Sequence, residues 1–316
     1  MLDLIHLSRK PLFPPGGVDL YRQIAVLAEM TSSDEVLVVP AGLAVTLEYF
    51  VNEYGVHGSG VEDDSLLLGR AEERLRGLRL LDRVHLQPGE MDGLPFRDEI
   101  FDVVVADLGL TSSVEPEDAV DELVRVAKPG ATVVIVQPVW KAPVDPERQA
   151  VLSDHLGCRP LMLVEWKKIL KAAGLEQLHT EDWSDEGTSF RPQVTKPFPD
   201  FSELFSLREK LGILRRARRR WGWGGLWTVI AREREVHRLL THERILGLDL
   251  VKGVKPGGVP ATTPGMTSLD PTETAAAPGD PPNAGEGKPR GADRRIDESR
   301  QVTGLPLFGE GDDTDV

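Results

Sequence analysis

The sequence predicts an α/β fold, a mostly parallel β-sheet with helices on both faces. Three observations carry this. Asp34 to Phe50, "DEVLVVPAGLAVTLEYF", runs from an apolar stretch through a tight turn of small residues into a segment of helical spacing. Nucleotide-binding α/β folds begin this way. Strand-like and helix-like segments then alternate to about residue 180, the pattern of a parallel sheet joined by crossover helices. The chain has 316 residues, 40% of them hydrophobic, enough to bury a sizeable core.

The elements follow in order. Val18 to Met30 has helical spacing. Glu35 to Val39 is a continuous apolar run and reads as a buried strand. Ala44 to Tyr54 reads as a helix. His57 to Glu62, "HGSGVE", reads as a strand whose glycines and serine suit burial poorly. Ser65 to Leu78 is an amphipathic helix. "RVHLQPG" is a short strand, and Phe101 to Gly109 is a strong one. Pro116 to Lys128 is a helix with proline in its first turn. "PGATVVIVQPVW" is a turn and then a strand. Met162 to Leu175 is a helix that stops at Gly174. Leu204 to Leu240 reads as two helices broken at "WGWGG".

From Lys252 the composition shifts to Pro, Gly, Thr and Asp. Such a segment buries too little surface to offset its ordering entropy. The apolar island Leu305 to Phe308 within it is attributed to chance. The expected organisation is an α/β domain over 1–183, a basic and Trp-rich helical extension over 184–251, and a disordered acidic tail over 252–316.

The net charge is −14, from 37 basic and 51 acidic side chains. That excludes general nucleic-acid binding, which needs a basic surface. The single cysteine, Cys158, allows no internal disulfide and fits a reducing compartment. The N-terminus lacks a signal-peptide core, and no run reaches the length of a membrane span. These features predict a soluble, cytoplasmic protein. No zinc-ligand set, P-loop or hydrolase elbow occurs, and no metal is expected.

A dinucleotide fold uses three glycines after its first strand. Here only Gly42 stands, and Pro40 removes a backbone N–H. Glu62 does follow at the spacing ribose recognition requires, which alone does not discriminate. The order of later motifs does: "PPGGVDLYRQIAVLA", "VLVVPAGLA", "GVEDDSLLLGRAEERL", "PGEMDGLPFRDEIFDVVVAD" and "ELVRVAKPGATVVIVQ". Over Pro15 to about Trp183 the chain resembles the class I S-adenosylmethionine-dependent methyltransferases. It is most similar to the small-molecule branch that includes the ubiquinone and menaquinone C-methyltransferases (methyltransferase type 11).

The resemblance implies a Rossmann-like, seven-stranded sheet, S-adenosylmethionine as cofactor, and methyl transfer to a small molecule, apolar acceptors included. It implies that Val39, Pro40, Ala41 and Gly42 form the cofactor loop, and that Glu62 and Asp63 meet the ribose. Gly89, Glu90 and Met91 would meet the adenine. Asp107, ending the fourth strand, would lie over the transfer site as base and cofactor contact; a helix cap or loop carboxylate is an equal reading of it. Tyr21, Gln137, Trp140 and His155 are acceptor-side candidates, with packing the simpler reading of Tyr21 and of the His155–Cys158 pair. Val38 stands where the family carries an acid, and Pro40 and Ala44 stand where it carries glycines. These departures predict a rearranged or weakened site. Two rivals remain: a catalytically inactive scaffold with the same fold, and a dinucleotide-binding oxidoreductase, which the missing glycines disfavour.

Arg215, Arg216, Arg218, Arg219 and Arg220 lie beside Trp221, Trp223 and Trp227. Their plain reading is a solvated helix face packed on the domain. The sharper one is contact with an anionic membrane surface.

Overall fold

The structure is a computed structural model and describes residues 4, 7–8, 11–110, 114–184, 204–241 and 243–257. Its frame is a sheet of β1 (Glu35–Val39), β2 (His57–Glu62), β3 (Val84–Pro88), β4 (Phe101–Ala106), β5 (Ala127–Trp140), β7 (Glu176–Asp182) and β8 (Leu246–Val254). The strand order is β3-β2-β1-β4-β5-β8-β7, and the short β6 (Leu161–Met162) pairs with β5. Neighbours from β3 to β5 run parallel, while β8 runs antiparallel to both β5 and β7. The mostly parallel sheet expected from the sequence is therefore present, with seven strands in line and β6 as an eighth.

Alternation along the strands sorts residues onto two cores. Val36, Val38, Val103, Val105, Val134 and Val136 face α1 (Gly17–Leu27) and α2 (Val45–Tyr54), meeting Leu20, Tyr21, Ile24, Leu47 and Phe50. Leu37, Val39, Val104, Ala106, Val133 and Ile135 face α4 (Pro116–Val126) and α6 (Leu163–Ala172), meeting Ala119, Leu123, Trp166 and Leu170. Strands buried on both faces read as unbroken apolar runs, which is why β1 and β4 stand out in the sequence.

The glycines of β2 have a packing reason. A Cβ on Gly60 would come within 2.8 Å of Ala41 and Leu47 side chains, and one on Gly58 within 3.0 Å of Leu47. The loop after β1 and helix α2 pack so closely on β2 that side chains there would push them away. Next, α3 (Ser65–Leu78) is capped by Asp64, which accepts from the Leu66 and Leu67 N–H groups. The long helix α7 (Leu207–Thr241) changes direction at Gly222, whose φ of 70° and ψ of −172° are not helical. That break lies within the expected "WGWGG". Its first half packs Ile213 and Ala217 with Leu4 and Phe205 in a third cluster.

The expected boundaries need correction. The expected helical extension takes in residues 246–251 and the expected tail 252–254, yet Leu246–Val254 forms β8 inside the sheet. The segment after β5, to which the sequence assigns no element, contains helix α5 (Pro146–Leu156), capped by Asp145. Among the described residues no helix is long and apolar enough to cross a membrane. The tail from residue 258, with Leu305 to Phe308, lies outside the described residues.

Candidate functional site

Parallel pairing brings the carboxyl ends of β1, β2, β3 and β4 to one edge: Val38 pairs with Gly60, Glu62 with Pro88, and Val39 with Ala106. Ligands of open α/β sheets bind at this edge, where the strand order reverses. Here the reversal falls between β1 and β4. Each expected cofactor segment begins there: Pro40–Gly42 after β1, Glu62–Asp63 ending β2, Gly89–Met91 after β3, and Asp107 after β4.

The loop after β1 is held by side chains from outside it. The Gly42 N–H donates to Glu62 Oε2 at 2.7 Å. Arg74 on α3 donates to the Leu43 carbonyl at 3.2 Å and is paired with Glu48 on α2. Ala44 occupies a left-handed conformation, φ 57°, and is fully buried. This conformation suits the glycine the family carries there. Gly42 also has a positive φ of 55°, and nothing lies within 4 Å of the Cβ it lacks. The loop thus leaves an open space beside Gly42. Helix α2 starts without a side-chain cap, so the first N–H groups, which have no intrahelical partner in any helix, are left to suit an anionic group. Val38 is 1% exposed among apolar neighbours and offers nothing to a cofactor.

Glu62 is buried, accepting from the Gly42 and Asp64 N–H groups. Burial pushes its carboxyl up to about 7 against those two hydrogen bonds, and neighbouring Asp63 adds to the rise. Asp63 and Glu90 are exposed, and Met91 is buried against the adjoining core. Glu90 has no side-chain hydrogen bond among the described residues. Gly89 has a structural duty: a Cβ there would meet Pro95 at 2.9 Å and Val61 at 3.0 Å.

Asp107 is the centre of a buried polar group. The Tyr21 hydroxyl from α1 lies 2.8 and 2.7 Å from its two carboxylate oxygens, and Thr46 Oγ1 from the first turn of α2 lies 3.4 Å away. Its Oδ1 also accepts the Leu108 N–H at 2.8 Å. Burial raises the Asp107 carboxyl to about 6, opposed by the Tyr21, Leu108 and Thr46 hydrogen bonds. Burial and the Asp107 charge push the Tyr21 hydroxyl well above its ordinary range. Phe13 and Phe50 flank the Tyr21 ring, with centroids 5.9 and 6.2 Å away.

The remaining candidates divide. Gln137 Nε2 donates to the Asp107 carbonyl at 2.8 Å and fastens the end of β4 to β5. Its side chain leaves β5 on the face of Val133 and Ile135, opposite Tyr21. Trp140 lies on the Tyr21 face and is buried. His155 lies in α5, with its side chain outside the described residues. Cys158 is buried, which pushes its thiol up to about 12 and leaves it inert. No group of side chains among the described residues could hold a metal ion. Sequence reasoning missed Thr46 as a partner of Asp107, and Arg74 as the loop's brace; helical spacing alone does not show which way a polar residue faces.

Residues 38–135 match the family described as "Methyltransferase domain". A probable tocopherol O-methyltransferase of Oryza sativa subsp. japonica is 29% identical over 181 residues, 54% of this chain and 49% of that protein. A demethylmenaquinone methyltransferase of Clavibacter sepedonicus is 37% identical over 83 residues, 26% of this chain and 33% of that protein. The match thus spans half or less of the length of these relatives. Phosphoethanolamine N-methyltransferase 2 of Haemonchus contortus, solved with S-adenosyl-L-methionine, superposes with a TM-score of 0.59 at 16% identity. That alignment covers 77% of this chain and 54% of the other. The resemblance read from motif order stands, as does the Rossmann-like fold, with S-adenosylmethionine as the cofactor of the class.

Proposed function

We propose that this chain transfers a methyl group from S-adenosylmethionine to a small molecule seated over Asp107, with Asp107 taking the acceptor's proton. The observation that supports this is the buried Tyr21–Asp107 pair at the carboxyl end of β4, beside the uncapped start of α2.

The residues present fit the cofactor. Glu62 keeps lone pairs beyond its two backbone bonds and would accept ribose hydroxyls. Glu90 would accept the adenine amino group, with Met91 as an apolar wall. The first turn of α2 would receive the methionine carboxylate. The bound cofactor supplies an activated methyl group on a sulfonium.

The chain's own contribution is placement and a base. A carboxyl that titrates near 6 is ionised at neutral pH and remains basic enough to accept a proton from a hydroxyl or carbon acid. The Tyr21 hydroxyl spans both carboxylate oxygens and fixes their orientation. Half-buried Phe13 beside the Tyr21 ring favours an acceptor with an apolar body. The methyltransferase names of both relatives agree with this reading.

Calorimetric titration with S-adenosylmethionine, S-adenosylhomocysteine and NAD tests it. Saturable binding of the first two and none of NAD is expected. Failure of both adenosyl ligands to bind at millimolar concentration would remove the cofactor, and methyl transfer with it.

A further inference from the structure

Some arginines of α7 are paired and others are not. Beyond the Gly222 break, Arg232 pairs with Asp154, and Arg238 with Glu235 and Glu243. Before it, Arg216 is committed to the Leu7 carbonyl at 2.8 Å. Arg215, Arg218, Arg219 and Arg220 are exposed and hold no ion pair among the described residues. The chain carries 51 acidic side chains against 37 basic ones, so four neighbouring arginines with no ion pair among the described residues form a distinct positive surface.

Large apolar side chains stand beside them. Leu207 is 78% exposed, Leu211 70%, Trp223 60% and Trp227 62%. Leu207, Leu211, Arg215 and Arg218 follow at helical spacing and form one stripe. Ile213 and Ala217, on the other side of the helix, are buried with Leu4 and Phe205. The Arg218 guanidinium lies 4.9 Å from the Trp223 ring centroid, joining the stripe to the tryptophans across the break.

We infer that this face docks on an anionic lipid bilayer. Exposed leucines and tryptophans cost free energy in water and gain it at the headgroup boundary, where arginines meet lipid phosphates. Nucleic acid would use the arginines and stack on the tryptophans, but offers nothing to Leu207 and Leu211. The net charge of −14 repels the same bilayer elsewhere, so it orients the molecule with this face down. The inference does not depend on methyl transfer.

Co-sedimentation of the full chain with vesicles tests it. One set is phosphatidylcholine alone, the other phosphatidylcholine mixed with phosphatidylglycerol. Pelleting with the anionic set at low salt, little with the neutral set, and loss as salt rises are expected. Replacing Arg215, Arg218, Arg219 and Arg220 together by glutamine should lower partition at least tenfold, since each arginine near such a surface is worth about fivefold. Trp223→Ser with Trp227→Ser should weaken it several-fold and abolish the blue shift of tryptophan fluorescence on binding. All six side chains lie at the surface, and an unchanged thermal melt confirms that each variant is folded. No pelleting with either set, equal pelleting with both, variants that bind like the wild type, or binding to random duplex DNA in place of anionic vesicles would overturn the inference.

Discussion

Glu62 Oε2 accepts the Gly42 backbone N–H at 2.7 Å, so the acid that ends β2 holds the loop that follows β1. One carboxylate thus joins the two segments proposed to face the cofactor. In that proposal its ionisation bears on both the hold on the loop and the charge offered to a ribose.

Glu62 predicts opposite pH trends for binding and stability. Burial raises its carboxyl to about 7. Only the ionised form is acceptor-only and suited to hydroxyl donors, so cofactor affinity should rise several-fold between about pH 6 and about pH 8. Stability without cofactor runs the other way. A folded pKa above the unfolded one gives stability that is complete below the ordinary glutamate value and is lost as pH rises through 7. The loss is on the order of 2 kcal/mol, measurable as a falling melting temperature. Glu62→Gln should flatten both trends. A wild-type affinity constant across that range would refute this role.

Asp107 and Tyr21 predict a split in the pH–rate profile. Asp107→Asn should lower kcat by about 10²–10⁴-fold with an acceptor that must lose a proton. The wild-type rate should rise through about pH 6, where Asp107 ionises. Tyr21→Phe removes a hydrogen bond that lowers the Asp107 pKa, so the inflection should move to higher pH. A Tyr21→Phe enzyme with an unshifted profile would reduce Tyr21 to packing.

Ala44 predicts how much the missing glycine matters. A left-handed conformation costs an L-residue about 1–2 kcal/mol. Glycine relieves this but loses a buried methyl worth about 0.8 kcal/mol and adds freedom to the unfolded chain. Ala44→Gly should therefore leave stability within about 1 kcal/mol of wild type. Ala44→Val combines strain with overpacking at a fully buried site and should cost about 3 kcal/mol or more. Chemical denaturation of both variants measures it, and a harmless valine would show that the loop does not need this conformation.

Much of the fold was legible because its signals are local. β1 and α3 appear with the bounds that the apolar run and the amphipathic spacing suggest, and β2 with the bounds expected despite its glycines. The sheet edge was legible through motif order, which placed Glu62, Glu90 and Asp107 on the correct strand ends. What escaped depends on distant partners. β8, "LGLDLVKGV", follows an Arg-rich helix and precedes a Pro/Gly-rich stretch, and its alternation is interrupted by glycines and charges. Gly253 is required by close approach of Leu175 and Leu178, and Asp249 is neutralised by Lys141. Neither reason is visible in the segment itself. The poor look of β2 has the same cause, since its glycines answer to Leu47 and Ala41.

β8 carries the last prediction. Thr132 to Trp140 of β5 pair along their length with Val254 to Leu246, and β7 reaches the sheet only through β8. Removing β8 would expose the buried edge of β5, strip Leu246, Leu248 and Leu250 from the core under α1, and leave β7 unpaired. Each backbone hydrogen bond exchanged for water costs about 0.5–1.5 kcal/mol over the β5 and β7 edges, and three leucines add about 2 kcal/mol or more apiece. These losses exceed the 5–15 kcal/mol or so that holds a domain folded. A chain ending at Ile245 should therefore lose cooperative unfolding and cofactor binding together, although it retains every residue of the expected α/β domain over 1–183. A cooperative melt at the full-length midpoint would show that β8 is an accessory to the sheet.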